Sequence, residues 1–376
     1  MSVIRGNFEI YMGENAISQM QQRIQNLGYE SAAILIDSNL MTNSRVKELL
    51  SIFETSFSSF EKKFITLKGE PTYSDLDREF EDIKHFNLDL IVAIGGGSLI
   101  DLAKGLSILF SNPGAGIEYR GIHKVKNRGL PLVVLPTTAG TGTEMTWTAS
   151  FVDSDSETKL GINGDNLFPS FALLDPGLLE GAPKSVLLSA ALDSLVHAIE
   201  AATSTMSNPF TVALGQTAVM RVLDNLEAAL QGKPDINALA MLQLGAAEAG
   251  LAMLNSSGGP ASGISYPLGV HYKVPHGFAG GILLPEVIRE NIRLGYAGYG
   301  IFDQVELNGT NFLRRLDNLY QQLEVPKDFR NWGFSTEIDL QKVVKLTIDQ
   351  RSENLRLNPV AFNQESLIRT LEGFVK

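Results

Sequence analysis

The sequence of 376 residues contains no cysteine and only five histidines. The lack of cysteine excludes disulfide bonds, thiolate metal ligands and reactive-thiol catalysis. No uninterrupted run of about 18 apolar residues occurs, so we expect no membrane-spanning segment. The first residues also lack the apolar core of a secretory signal, which leads us to expect a cytoplasmic protein.

The sequence has fewer basic than acidic residues: it contains 31 Lys and Arg and 42 Asp and Glu, which gives a formal net charge of -11. Nonspecific binding to nucleic acid or to an anionic membrane needs a basic face, so neither partner is expected. The length favours two domains, and the 44% hydrophobic fraction fits a soluble globular protein. We therefore expect a small-molecule substrate.

The pattern of the first half predicts an α/β domain over residues 1–180. Short β-branched runs predict buried strands at 32–36, 88–94 and 130–135. Helical spacing separates or follows them at 43–51, 73–85 and 99–110. Strands and helices that alternate in this way indicate a parallel, Rossmann-like sheet with crossover helices on both faces.

Beyond about residue 180 the sequence becomes rich in alanine and leucine. Helices are predicted at 184–203, 208–231 and 235–254, with several more between 280 and 376. We therefore predict an all-helical domain over residues 181–376, with the active site in the cleft between the two domains.

Gly95, Gly96, Gly97 and Ser98 follow a predicted strand and open a predicted helix. Glycines let backbone N–H groups approach a phosphate, and a helix amino end favours an anion. The alternative is only a well-capped helix, because Ser98 and Asp101 have capping-box spacing. The loop is not the Gly-x-Gly-x-x-Gly fingerprint of an ordinary dinucleotide fold.

A second loop, at 136–144, also follows a strand, and the hydroxyls of Thr137, Thr138 and Thr141 suit a pyrophosphate and a ribose. A polar turn is the alternative, although β-branched residues disfavour tight turns. Two such loops at the carboxyl ends of parallel strands mark where open α/β sheets bind ligands. Asp37, at another strand end, favours NAD over NADP if it contacts the ribose; an Asx-turn is its alternative role.

Asp193 and His197 lie four residues apart, so a helix points both side chains the same way. Glu200 shares their face, and the alternative is the solvent face of an amphipathic helix. His276 stands between a proline and a glycine, at a corner that fixes its imidazole. One aspartate and two histidines leave open positions on Fe²⁺ or Zn²⁺, as in a catalytic site.

The predicted chemistry joins this divalent metal to NAD. A hydroxyl bound to a divalent ion becomes acidic near neutral pH, and an adjacent oxidised nicotinamide can accept the carbinol hydride. The predicted function is therefore a metal- and NAD-dependent oxidoreductase that interconverts a primary alcohol and an aldehyde.

These motifs, in order along the whole chain, resemble the iron-containing (group III) alcohol dehydrogenase family. The resemblance rests on residues 13–16, Asp37, 95–98, Asp101, 136–144, Lys159, 175–176, Asp193, His197, 267–269, 276–277 and 283–285. It implies that the dinucleotide is held by Gly95, Gly96, Gly97, Ser98, Thr137, Thr138, Thr141 and Lys159. It also implies metal on Asp193, His197 and His276, and a homodimer.

The sequence departs from the family pattern at Ser262 and Tyr266, where that pattern has a ligand histidine and a second histidine. The metal then has three protein ligands, or His271 serves as a fourth. The acid/base role passes to Tyr266 or His271, and a tyrosine base needs a nearby positive charge. An ordinary buried, hydrogen-bonded histidine is the alternative for His271.

Residues 265–272 are similar to the branch that oxidises the C8 hydroxyl of 3-deoxy-manno-octulosonate, an acidic sugar. Its carboxylate would need a basic group, which the sequence does not identify. One alternative function is a dehydroquinate-synthase-like lyase with transient NAD redox, although no basic cluster occurs between 180 and 280. The other is a catalytically degenerate nucleotide-binding protein, which retention of all three metal ligands disfavours.

Overall fold

The computed structural model describes residues 3–6, 8–13, 15–232, 234–303 and 309–375. Glu14, part of the motif at 13–16, lies outside the described residues. The chain forms two compact units, Arg5–Pro183 and Lys184–Lys376, and the second also includes Val3 and Ile4. The predicted boundary at residue 180 lies close to this division.

The first unit is built on a parallel sheet. Its strands and those of two small sheets are β1 (Glu9–Met12), β2 (Ser31–Asp37), β3 (Ser59–Ile65), β4 (Leu90–Gly95), β5 (Gly121–Ile122), β6 (Leu132–Pro136), β7 (Thr148–Ala149), β8 (Val152–Asp153), β9 (Thr158–Lys159), β10 (Ile162–Asn163) and β11 (Phe171–Leu174). Six of them form one sheet in the order β1-β11-β6-β4-β2-β3, with every neighbouring pair parallel. The α/β prediction is thus confirmed.

Four helices accompany this sheet: α1 (Ala16–Asn26), α2 (Ser44–Ser56), α3 (Tyr73–Ile83) and α4 (Gly97–Leu109). The strands β4 and β6 are buried along their whole length, and β2 is buried except at its last residue. Strands covered on both faces need continuous apolar runs, which is why the sequence reveals these three. The edge strands β1 and β3 are exposed or half-buried along almost their whole length, so they lack the continuous apolar runs of the inner strands and their sequences give weaker signals.

The second unit is helical, as predicted. Its helices are α5 (Lys184–Thr203), α6 (Pro209–Ala229), α7 (Ile236–Leu254), α8 (Pro260–Tyr272), α9 (His276–Gly281), α10 (Leu284–Arg293), α11 (Thr310–Gln322), α12 (Glu337–Arg356) and α13 (Gln364–Leu371). By length and composition alone, α5 and α7 are apolar enough to cross a membrane. However, 78% of the apolar window of α5 and 56% of that of α7 are buried within the protein. Packing inside the helical unit accounts for their apolar character.

Gly105 shows how tightly α4 packs in the first unit. A Cβ atom at this position would lie 2.8 Å from Leu76 Cδ1 and 2.8 Å from Phe151 Cζ. Because cores are close-packed, we expect Gly105→Leu to lower the free energy of unfolding by about 1–3 kcal/mol, as measured by urea denaturation. The control is Gly373→Leu, at a site where nothing lies within 4 Å of an added Cβ. Equal stability of the two variants would contradict this packing.

Candidate metal centre and nucleotide loops

The two polar loops of the first unit lie side by side at the carboxyl edge of its sheet. Gly95, the last residue of β4, pairs with Pro136, the last residue of β6. A Cβ atom at Gly96 would lie 3.4 Å from the side chain of Thr138, and one at Gly97 would lie 3.6 Å from Thr141 Oγ1. Backbone amides and threonine hydroxyls therefore share one edge, as a phosphate site requires.

No side chain among the described residues caps the amino end of α4. The helix begins at Gly97 with Gly96 as its N-cap residue, so Ser98 already lies inside the first turn. The Asp101 carboxylate instead accepts hydrogen bonds from Thr143 Oγ1 at 2.6 Å and from the Ser150 backbone N–H at 2.9 Å. The capping-box alternative is therefore wrong, and Asp101 ties the second loop to α4.

Lys104 is a buried residue of this site that was not predicted from the sequence. Its ammonium donates to Thr143 O and Oγ1 at 2.7 Å each and to Thr148 O at 2.6 Å. Burial lowers the pKa of Lys104 to about 8, against the opposing pull of Asp101. A single lysine within the apolar run of α4 was the available signal, because a buried ammonium needs such partners.

Asp37 and Lys159 already have partners within the first unit. Asp37 ends β2, and its Oδ1 accepts from the backbone and side-chain N–H groups of Asn39 at 2.9 Å, which is the alternative Asx-turn role. Lys159 is 7% exposed and pairs with Glu70 at 2.5 Å. Their contacts to a dinucleotide stay predictions.

Asp193, His197 and His276 come together in the second unit. One ligand atom from each side chain lies within 4.8 Å of the other two. Asp193 Oδ1 is 3.7 Å from His197 Nε2 and 3.6 Å from His276 Nε2. These separations are long for hydrogen bonds, and they suit donors bound about 2.0–2.2 Å from a shared ion. The donor set therefore fits Fe²⁺ or Zn²⁺.

Burial rules out the solvent-face alternative for α5. Asp193, His197 and Glu200 are each at most 7% exposed. Nδ1 of His197 is buried and has no hydrogen-bond partner among the described residues. A buried carboxylate beside two imidazoles is costly unless a cation compensates it, which favours a metal site over a surface cluster.

The position of His276 depends on glycines that let α9 lie directly on α5. Lys273, the residue after α8, lies in the left-handed region at φ 58, and His276 is the first residue of α9. A Cβ atom at Gly277 would lie 1.8 Å from Ser189 O, and one at Gly281 would lie 2.5 Å from Leu192 Cβ. The corner predicted at His276 is therefore the first turn of the short helix α9, which contacts the backbone of α5.

Glu200 caps the amino end of α8 and accepts a hydrogen bond from the hydroxyl of Ser262. The Glu200 carboxylate accepts from the backbone N–H groups of Gly259 and Ala261 at 2.7 Å each and from Ser262 Oγ at 2.5 Å. Burial raises the pKa of Glu200, and these hydrogen bonds oppose that shift. Ser262, at the family's third ligand position, thus serves a helix cap. His271, half-buried in the last turn of α8, is not in the ligand group found among the described residues.

Tyr266 contacts both a residue of the ligand group and a cationic side chain. Its ring meets that of His276 nearly edge-on, with centroids 5.8 Å apart and planes at 80°. Cζ of Arg351 lies 3.6 Å from the centroid of the Tyr266 ring. The sequence pattern does not indicate Arg351, because only the packing of α12 on α8 brings this distant residue to Tyr266.

Comparison with known proteins agrees with both units. The sequence profile described as iron-containing alcohol dehydrogenase matches residues 7–176, and the C-terminal profile of the Fe-containing alcohol dehydrogenase family matches residues 187–375. Alcohol dehydrogenase 4 of Saccharomyces cerevisiae is 28% identical over 372 residues, which cover 96% of this chain and 95% of the yeast protein. The 4-hydroxybutyrate dehydrogenase of Clostridium kluyveri is 28% identical over 315 residues, with 80% and 83% covered.

Solved structures share the fold along nearly the whole chain. A 1,3-propanediol oxidoreductase superposes with a TM-score of 0.91 at 25% identity, covering 99% of both chains. Sulfoacetaldehyde reductase from Bifidobacterium kashiwanohense, solved in complex with NAD+, superposes with a TM-score of 0.89 at 22% identity, covering 100% of this chain and 98% of the other.

The parallel-sheet unit and the helical unit with its aspartate–histidine centre both match profiles of one class, the iron-containing alcohol dehydrogenases. The chain belongs to the iron-containing alcohol dehydrogenase family. The predictions of an alcohol–aldehyde oxidoreductase and of its cofactors, NAD and a divalent metal, are confirmed at the level of this family.

Glu144 is buried at the end of the second loop, and its burial predicts a pH dependence of the free energy of unfolding. Burial raises its pKa from 4.5 to about 7. The folded state therefore binds a proton more tightly than the unfolded state. This contribution to stability is complete below about pH 4.5 and is lost as the pH rises through 7, by about 3 kcal/mol in total.

We expect Glu144→Gln to remove this loss, so that its stability relative to wild type increases between pH 5 and pH 8 in urea denaturation. The matched control is Glu30→Gln, which changes an exposed carboxyl of the same unit. A constant difference between wild type and Glu144→Gln across this range would contradict the raised pKa.

Proposed function

We propose that this protein is a primary-alcohol dehydrogenase that uses NAD and a divalent metal held by Asp193, His197 and His276. The observation that carries the proposal is the convergence of these three ligand atoms within 4.8 Å in a member of this family. The use of NAD is supported by the complex of sulfoacetaldehyde reductase with NAD+ and by the acidic Asp37 at the carboxyl end of β2.

The residues of the second unit bind and orient the substrate oxygen. A metal ion held by Asp193, His197 and His276 would polarise the alcohol or carbonyl oxygen, and bound NAD would supply the hydride acceptor or donor. Asp193 contributes the negative charge of the ligand set, while the imidazoles of His197 and His276 contribute neutral nitrogen donors. Nitrogen and oxygen donors suit both Fe²⁺ and Zn²⁺.

Tyr266 is our proposal for the group that exchanges the hydroxyl proton. It is the aromatic residue in edge contact with the ligand His276, and its phenol can both donate and accept a proton. His271 is the second candidate, because it lies five residues later in the same helix, in its final turn.

In the first unit, we propose that the pyrophosphate of NAD lies at the amino end of α4. The absence of a side-chain cap and the nearby hydroxyls of Thr138 and Thr141 support this position. Thr137 is buried and holds the loop, since its backbone N–H donates to Gly95 O at 3.1 Å. Lys159 would have to share its ammonium between Glu70 and the nucleotide.

The substrate is the open part of the proposal. One relative is named for 4-hydroxybutyrate and one structural neighbour for sulfoacetaldehyde, whereas another neighbour is a 1,3-propanediol oxidoreductase. These names include anionic as well as neutral substrates. The acidic sugar 3-deoxy-manno-octulosonate, the homodimer and the cytoplasmic location stay predictions.

The test of the proposed function removes one ligand at a time. We expect Asp193→Ala and His276→Ala to weaken metal binding by more than the roughly 10–100-fold that loss of an outer-shell partner costs, and to abolish NAD reduction. Metal content after anaerobic loading with Fe²⁺ or Zn²⁺ and NADH absorbance are the two measurements. Exposed His85→Ala is the control.

Full metal content and full turnover in both variants would contradict the proposal. Tight NAD binding by the metal-loaded wild type without turnover of any alcohol, polyol or acidic sugar would instead indicate the degenerate alternative. Accumulation of NADH with an alcohol would exclude the lyase alternative, because that reaction has no net redox change.

A further inference from the structure

The second nucleotide loop, residues 136–144, is joined to α4 by buried hydrogen bonds among Lys104, Asp101 and Thr143, which we call the Lys104 network. The hydroxyl of Thr143 lies at its centre, because it accepts from Lys104 Nζ at 2.7 Å and donates to Asp101 Oδ1 at 2.6 Å. Lys104 Nζ also donates to the backbone carbonyl of Thr143 at 2.7 Å. All three residues belong to the first unit, so the network lies within one compact body.

The same ammonium also holds the chain just beyond the loop. Lys104 Nζ donates to the backbone carbonyl of Thr148, the first residue of β7, at 2.6 Å, and it lies 3.3 Å from Thr146 Oγ1. Thr146 Oγ1 donates in turn to Thr143 O at 3.2 Å. Three threonines of one short segment thus converge on one lysine. The segment can move away from α4 only by breaking several buried hydrogen bonds.

Lys104 is too deeply buried to contact a bound nucleotide itself. Its side chain is 0% exposed, and it follows Gly97, the first residue of α4, by seven positions. At the rise of an α-helix, this separation places Lys104 about 10 Å along the axis from the amino end. Any effect of Lys104 on a phosphate at that end must therefore pass through the loop, as is typical of a positioning residue.

The loop held in this way places a hydroxyl beside the amino end of α4. A Cβ atom at Gly97 would lie 3.6 Å from Thr141 Oγ1 and 3.8 Å from Thr143 Cγ2. Between these two threonines stands Gly142, at φ 65 in the left-handed region. Because one residue separates them, a displacement of Thr143 would also displace the hydroxyl of Thr141.

The choice of a lysine at this position favours a positioning role. Burying an ammonium is costly, and an apolar side chain of similar volume is often as stabilising as a buried ion pair. What the ammonium adds is direction, since its three N–H groups draw two carbonyls and a hydroxyl to one point. The carboxylate of Asp101, whose Oδ1 is 3.8 Å from Nζ, compensates the charge.

We propose that the Lys104 network positions the loop at 136–144 for the pyrophosphate of NAD, with Lys104 and Thr143 as positioning residues for cofactor binding. This inference rests on the proposed function, which places the pyrophosphate beside Thr138 and Thr141. The alternative is that the network contributes to the stability of the first unit without any selective effect on NAD.

The binding test is calorimetry with NAD on the metal-loaded protein, and it compares two substitutions at Thr143. Thr143→Val keeps the shape and removes the hydroxyl, so it should weaken NAD binding by about tenfold or more, because Lys104 and Asp101 each lose a buried partner. Thr143→Ser keeps the hydroxyl and should stay within about threefold of wild type. Lys104→Met should bind NAD no more tightly than Thr143→Val. The control is Lys126→Met, which changes an exposed lysine of the same unit.

Steady-state kinetics distinguish positioning of the cofactor from a general loss of activity. Thr143→Val and Lys104→Met should raise KM for NAD by about tenfold or more and lower kcat by less than about threefold, since neither residue touches the reacting atoms. Metal content should equal that of wild type, because the three metal ligands belong to the second unit.

Trp147 reports on the loop without any cofactor. Both of its neighbours in the chain contact the ammonium of Lys104, and it is one of only two tryptophans in the sequence. In a Trp332→Phe background, Thr143→Val should increase acrylamide quenching of Trp147 fluorescence, whereas Thr143→Ser should not. Thermal unfolding checks that each variant is folded, and if Lys104→Met does not fold, the two substitutions at Thr143 decide.

Four results would overturn the inference. They are equal NAD affinity in wild type and Thr143→Val, equal loss of affinity in Thr143→Val and Thr143→Ser, a fall in kcat with unchanged KM for NAD, and unchanged quenching of Trp147 in Thr143→Val. If no alcohol is oxidised but NAD affinity still depends on the Thr143 hydroxyl, the proposed oxidation fails and the positioning role stands. A wild type that binds no NAD would contradict both.

Discussion

The close contact of α9 with α5 is the constraint on which the metal centre depends. Asp193 and His197 share one face of α5, but two donors do not make a catalytic site. The third donor, His276, arrives because Gly277 lets the backbone of α9 pass against Ser189 O, at a distance no side chain would allow. The centre is therefore a product of helix packing as much as of ligand identity.

Packing and hydrogen bonds also position the elements around the metal centre. Glu200, one turn beyond His197, holds the amino end of α8 and thereby fixes the helix that carries Tyr266. Arg351 of α12 then closes over the ring of Tyr266. One buried carboxylate thus links the metal-bearing helix to the aromatic residue and the cation beside it. Ser262 stands where the family pattern has a histidine. It fits this arrangement because its hydroxyl donates to the Glu200 carboxylate that caps α8.

Much of this could be predicted from the sequence, for physical reasons that differ by residue. Buried parallel strands need continuous apolar runs, so β2, β4 and β6 were visible, and helical spacing placed Asp193 and His197 on one face. The buried hydrogen-bond network around Lys104 was harder to predict from the sequence, because the partners of Lys104 lie about 40 residues further along the chain. Arg351 could not be predicted at all, because nothing local distinguishes it from the exposed Arg356 five residues later.

The central claim is that Asp193, His197 and His276 bind one divalent ion. X-ray absorption spectroscopy of the protein loaded with Fe²⁺ or Zn²⁺ tests it most directly, because it counts the imidazoles on the metal without requiring a substrate. The account predicts nitrogen and oxygen donors at about 2.0–2.2 Å with the outer-shell scattering of two imidazoles, one of which disappears in His276→Ala. A metal with no imidazole scattering, or one whose spectrum is unchanged in that variant, would contradict it.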